Sequence, residues 1–128
     1  MKFKSQICTS VEQSNLLLEL GLKPETADMK HFFDNRNDYS FFHRWKCIPY
    51  EWDKESLMDS ENIPAWSLHR LIEMCNKTQS WMIISIYNNE VTVDGALFEV
   101  FDNTYDNLIS AIECLIKEGY FNKEYLEQ

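Results

Sequence analysis

Glycine and proline are scarce, with three of each in 128 residues. That leaves little material for a glycine-rich phosphate loop and speaks against a disordered or low-complexity chain. No apolar run approaches the ~18 residues a membrane span requires. The opening MKFKSQICTS has two lysines with no apolar run behind them, so no secretory leader is expected either. The four cysteines, Cys8, Cys47, Cys75 and Cys114, include no C-x-x-C pair. Scattered in this way, they read as buried free thiols of a cytoplasmic protein rather than as a disulfide framework.

Positive charge is missing from one long stretch. Between Thr78 and Ile116 lie six carboxylates (Glu90, Asp94, Glu99, Asp102, Asp106, Glu113) and no Lys or Arg. The segment EWDKESLMDSE (51–61) adds five acids against one lysine, and the whole chain carries −9. A field of this sign repels nucleic-acid phosphates and anionic membranes and favours basic protein partners.

What is present is core material. Hydrophobic residues make up 45% of the chain and aromatics 14%, enough for one well-packed domain over 1–128 without metals or disulfides. TSVE (9–12) fits a capping box on Thr9 and Glu12, Leu17 and Leu20 supply an apolar face, and Gly21 is a left-handed stop, so the pattern predicts a helix over 10–20. WSLHRLIEMCNK (66–77) places Leu68, Leu71, Ile72 and Cys75 on one helical stripe, with Ser67 as its N-cap. From about Thr104, Leu108, Ile109, Ile112, Leu115 and Ile116 build a third helix that ends at Gly119. Met29 to Phe33 reads as a strand, and DNRND (34–38) as a connection. YSFFHRWK (39–46) alternates like a half-buried strand. An acidic loop follows from Ile48 to Asn62. WMIISIY (81–87) and VTV (91–93) then flank a tight turn, and ALFEVF (96–101) continues the sheet past a bend at Gly95. The expected architecture is a small α+β domain, an antiparallel sheet with about three helices packed mainly on one face and a variable, loop-rich region at about 30–62.

Two stretches, IPAWSLHRLIEMC (63–75) and DNLISAIECLIKEGYFNKEYLE (106–127), resemble signatures of a family of short uncharacterised proteins of gut anaerobic bacteria, their prophages and conjugative elements. An early segment resembles the same family through Ser14, Leu17, Leu18, Leu20, Gly21, Leu22, Thr26, Ala27, Asp28 and Met29. The resemblance spans most of the chain outside 30–62. It implies a bacterial or phage origin and an accessory role on a mobile element, and it implies no activity, ligand or catalytic residue.

No site for chemistry stands out. His43 and Cys47 are four apart, but on a strand that spacing puts them ~13 Å apart, and His31 and His69 have no ligand at a zinc-finger spacing. No metal, cofactor or catalytic residue is therefore expected. The strand 39–46 places Tyr39, Phe41 and Trp45 opposite Arg44 and Lys46, so rings and cations fall on different faces, unlike a base-stacking surface. The expected function is a non-enzymatic protein-interaction module, docking a partner or a second copy of itself. Its candidate contacts are Phe42 on the strand and Trp52, Asp53, Glu55 and Asp59 on the acidic loop, an anchor with steering charge. Two alternatives remain open: an acidic, nucleic-acid-mimicking inhibitor of a nucleic-acid enzyme, and a small-molecule binder or enzyme.

Overall fold

The computed structural model describes residues 6–34, 44–52, 62–76, 84–87, 90–93, 96–97 and 101–127. Its order is α1 (Val11–Glu19), β1 (Met29–Asp34), β2 (Arg44–Pro49), β3 (Asn62–Ala65), α2 (Leu68–Asn76), β4 (Ile84–Tyr87), β5 (Glu90–Val93), β6 (Ala96–Leu97) and α3 (Thr104–Lys117). Three helices with antiparallel strands make it a small α+β fold. The strands form two three-stranded sheets, in the orders β2-β1-β3 and β4-β5-β6.

Each helix is delimited by local chemistry. The box that opens α1 lies one residue later than TSVE suggests. Ser10 Oγ accepts from Gln13 N (3.1 Å) and Gln13 Oε1 accepts from Ser10 N (2.9 Å). Thr9 is displaced from capping because it is wholly buried, where its Oγ1 meets Ser14 Oγ at 2.8 Å and accepts from Trp66 N at 3.0 Å. Gly21 (φ 101°) and Gly119 (φ 77°) end α1 and α3 in the left-handed region. The pairs Leu22 N to Leu17 O and Gly21 N to Leu18 O, and Tyr120 N to Leu115 O and Gly119 N to Ile116 O, are the Schellman pattern. At α2, Ser67 Oγ accepts from Arg70 N, as expected of the cap.

The main core gathers Leu17, Leu22, Trp66, Leu71, Met74, Cys75, Leu108, Ile112, Leu115 and Phe121, contributed from α1 through to the C-terminal segment. Helix α3 sits at its centre and packs on α1, α2 and β5. The chain after α3 is tied down: Lys23 N donates to Tyr125 O (2.8 Å) and Glu127 N to Gly21 O (2.7 Å).

The first sheet departs from expectation in two ways. Strand β3 falls at the end of what reads as a loop, and it carries Pro64. It is an edge strand, where a missing N–H is tolerated. The β1–β2 register pairs Asp34 with Arg44 and His31 with Cys47, so Asp34, the first residue of DNRND, belongs to β1, while 35–38 lie outside the described residues. The backbone of Arg44–Lys46 is a strand, as the alternation in YSFFHRWK implies, while 39–43 lie outside the described residues.

The segments TADM (26–29) and AWS (65–67) touch each other. Trp66 Nε1 donates to Thr26 Oγ1 (3.0 Å), and Ser67 N and Oγ both donate to the Asp28 carboxylate. TADM is thereby bonded to AWS. Structural roles account for both.

Candidate functional site

The described residues bring together a cluster that the spacing of the cysteines conceals. Strand pairing sets His31 directly opposite Cys47, so their side chains leave the sheet on the same face. The segment leading into α1 runs across that face, held by Thr9 N donating to Trp66 O at 2.8 Å. It delivers Cys8, which packs with Met29, Ala65 and Cys47. Cys8 and Cys47 pair as a disulfide with Cα atoms 7.2 Å apart. This corrects the expectation of four free thiols. Sequence distance had kept the pair apart, and strand register joins them. Cys75 and Cys114 are free. Burial pushes the Cys75 thiol up to about 12, which keeps it protonated and inert.

His31 completes the cluster. It is 8% exposed, and one ligand-capable atom from each of Cys8, His31 and Cys47 lies within 4.8 Å of the other two. His31 Nε2 donates to Thr9 O at 2.6 Å and also faces Cys8 Sγ at 3.7 Å. A carbonyl can only accept, so Nε2 carries a proton, and the ring's other nitrogen is Nδ1. That Nδ1 is the one buried side-chain nitrogen or oxygen among the described residues with no hydrogen-bond partner. An orphaned buried polar atom calls for an explanation. No local signal marks the trio in the sequence, since its members are 23 and 16 residues apart.

A second feature is an open cleft of about 620 Å³ beside Glu25, Asp28, Tyr50, Glu51, Trp52 and Arg70. Its walls are already engaged. Asp28 holds Ser67, Arg70 pairs with Glu73 at 3.0 Å, and the Lys30 ammonium lies 4.1 Å from the centre of the Tyr50 ring.

The proposed contact loop fares differently from expectation. Trp52 is not an exposed anchor. It is 6% exposed, packs in the main core edge-on to Tyr50, and donates from Nε1 to Met29 O at 2.8 Å. Burying its large ring while bonding its N–H satisfies both ends of the side chain. Phe42, Asp53, Glu55 and Asp59 lie outside the described residues. Of the six carboxylates between 78 and 116, Asp106 accepts from Gln13 Nε2 at 2.6 Å and Glu113 pairs with Lys117 at 3.0 Å. Asp94 and Glu99 lie outside the described residues.

Large apolar side chains are exposed at Ile7 (60%), Leu16, Ile48, Ile86 and Phe101. Ile7 and Phe101 lie on neighbouring segments, whereas Ile48, which pairs with Lys30, leaves β2 on the face opposite Cys47. Gln6 Oε1 accepts from Asn103 Nδ2 at 3.0 Å, which ties the segment carrying Ile7 to the one carrying Phe101. Among the described residues, no helix is long and apolar enough to cross a membrane. No protein-family model, no curated protein and no solved structure matches the chain.

Proposed function

We propose that the chain is a non-enzymatic protein-interaction module whose contact is the corner that carries Ile7 and Phe101, and whose partner is a basic protein. The observation that carries this reading is the exposure of Ile7 and Phe101 on segments joined by Gln6, which bonds Asn103 and Tyr105. Grouped apolar exposure, unlike single exposed residues, marks contact surfaces. Carboxylates share the corner. Asp102 is exposed beside Phe101, and Asp106 reaches Gln6 through Gln13. With −9 on the whole chain, a second copy is repelled and a cationic partner is attracted. In this reading the module is a cytoplasmic accessory protein of a bacterial or phage mobile element, the origin implied by the resemblance of its IPAWSL and DNLI…LIKEGYF segments.

The test compares wild type with Ile7→Asp and Phe101→Asp in pull-downs from a bacterial lysate, with and without nuclease and at low and high salt. Expected is one basic protein retained by wild type, weakened by salt, indifferent to nuclease and lost by both variants. Removing a central apolar contact of this kind weakens binding roughly 30-fold, about 2 kcal/mol. A prey that both variants retain, or one released by nuclease, would overturn the assignment. So would wild-type dimerisation that Phe101→Asp abolishes, read by light scattering, because it would assign the corner to self-association.

A further inference from the structure

We propose that Cys8, His31 and Cys47 form, in their reduced state, a binding site for one soft divalent transition-metal ion of the zinc type. The site is independent of the interaction reading.

Four observations converge on this assignment. The donor atoms already lie within 4.8 Å of one another. Around a tetrahedral zinc, with bonds of about 2.0–2.3 Å, neighbouring donors sit roughly 3.3–3.8 Å apart. Breaking the S–S bond lets the two sulfurs part to that spacing, and the imidazole has about an ångström to close. The imidazole is also set up as a ligand. Metal-binding histidines typically donate one ring N–H to a carbonyl or carboxylate and coordinate through the other nitrogen. His31 donates Nε2–H to Thr9 O, which leaves Nδ1 buried and without a hydrogen-bond partner. The nitrogen facing Cys8 Sγ in the oxidised state is Nε2, at 3.7 Å, so coordination through Nδ1 requires the imidazole to reorient once the disulfide opens.

Charge gives the third argument. Two thiolates and a neutral imidazole around a divalent cation sum to zero, so the filled site carries no net charge into a pocket where Cys8 and His31 are almost wholly buried. No carboxylate belongs to the cluster. Thiolate and imidazole donors select zinc-like ions over magnesium or calcium. The fourth argument is the backbone. The Cα atoms of Cys8 and Cys47 are 7.2 Å apart, beyond the usual range of about 4.4–6.8 Å for a disulfide. A metal-bridged pair holds its sulfurs about 3.8 Å apart, which suits the wider spacing. Three described protein donors leave the fourth tetrahedral position for water or an exogenous anion.

Loading begins from the disulfide. A phosphine reductant breaks the S–S bond. Two electrons pass to the sulfurs, phosphorus takes the oxygen of one water to become a phosphine oxide, and the two protons of that water end on the thiols. Zinc then displaces one proton from each thiol. The ion would staple the segment before α1 to the β1–β2 hairpin, as the disulfide does, so the two states exchange one cross-link for another at the same place.

The experiment titrates Co²⁺ into the full chain, reduced with a phosphine under anaerobic conditions. Expected are a thiolate-to-cobalt charge-transfer band saturating at one ion per chain, displacement by Zn²⁺, and release of two protons per ion bound. Cys8→Ser, Cys47→Ser and His31→Gln should each weaken binding more than about 100-fold, exceeding the 10–100-fold typical of losing an outer-shell partner. The double variant Cys75→Ser/Cys114→Ser should bind as wild type. If any ligand variant fails to fold by circular dichroism, alkylation mapping of reduced wild type decides, with Zn²⁺ expected to protect Cys8 and Cys47 but not Cys114. The assignment falls if reduced wild type shows no thiolate-to-cobalt band, or if Cys8 and Cys47 alkylate equally fast with and without Zn²⁺.

Discussion

Asp28 shows how much one side chain can organise. Its carboxylate accepts from both the backbone N–H and the hydroxyl of Ser67, the residue that caps α2, while its backbone carbonyl accepts from Tyr50 N at 2.9 Å. One residue thus joins the entry to β1, the exit from β2 and the start of α2. Asp28→Ala leaves the Ser67 N–H without its partner in a half-buried position, and a loss of roughly 1–3 kcal/mol is expected. Asp28→Asn keeps one acceptor oxygen and should lose less. Urea unfolding of Asp28→Ala, Ser67→Ala and the double variant measures the coupling. Strict additivity of the two single effects would show that the contact contributes nothing. Trp52 makes the complementary point. An indole in an acidic loop suggests an exposed anchor, yet its N–H finds Met29 O and its ring finds the core.

The elements are governed by their ends. Gly21 adopts φ 101°, and nothing lies within 4 Å of where a Cβ would project from it. Gly21→Ala therefore isolates the backbone preference from any clash. The left-handed conformation disfavours a Cβ by about 1–2 kcal/mol, and that loss is the expected outcome in urea unfolding. Unchanged stability would show that α1 can end without the left-handed residue. The same element explains the shift of the capping box by one position. Ser10 and Gln13 fit the pattern nearly as well as Thr9 and Glu12, and only the demand for buried partners at Trp66 and Ser14 draws Thr9 inward. Leu16 pays for that register: it lies on the solvent side of α1 while Gln13 and Ser14 face in.

At the scale of the molecule, burial and charge combine in the response to alkaline pH. Desolvation raises the Cys75 thiol from an ordinary value of 9.0 to about 12, and desolvation is also the leading cause that raises Tyr105 and Tyr125 above 10.0. Each group ionises later folded than unfolded. Their contribution to stability is therefore complete below the unfolded values and is lost as pH rises through the folded ones. The urea midpoint should stay level from about pH 7 to 9 and then fall steadily toward 12, with Cys75→Ala flattening part of the fall. A midpoint that holds level to pH 11 would contradict the burial of these groups. The chain's −9 works in the same direction, because each further ionisation adds to its self-repulsion.

The sequence by itself determined what depends on neighbours a few positions away. The α+β class, the apolar faces of α2 and α3, the glycine stops after α1 and α3 and the Ser67 cap are all legible because helix periodicity and capping act over three to five residues. The tertiary structure decided what depends on register. DNRND carries every local sign of a turn, and a hairpin centred there would set His31 opposite Phe41. The observed register sets it opposite Cys47 instead. Strand pairing is selected by the buried face as a whole, and changing it moves every cross-strand neighbour at once. Cys8, arriving from outside the hairpin, joins the pair only because Thr9 is anchored to Trp66. The thiol–imidazole cluster therefore has no local signature to find. It exists because three distant segments are packed into one corner, and long-range packing is the part of the fold that short sequence patterns do not encode.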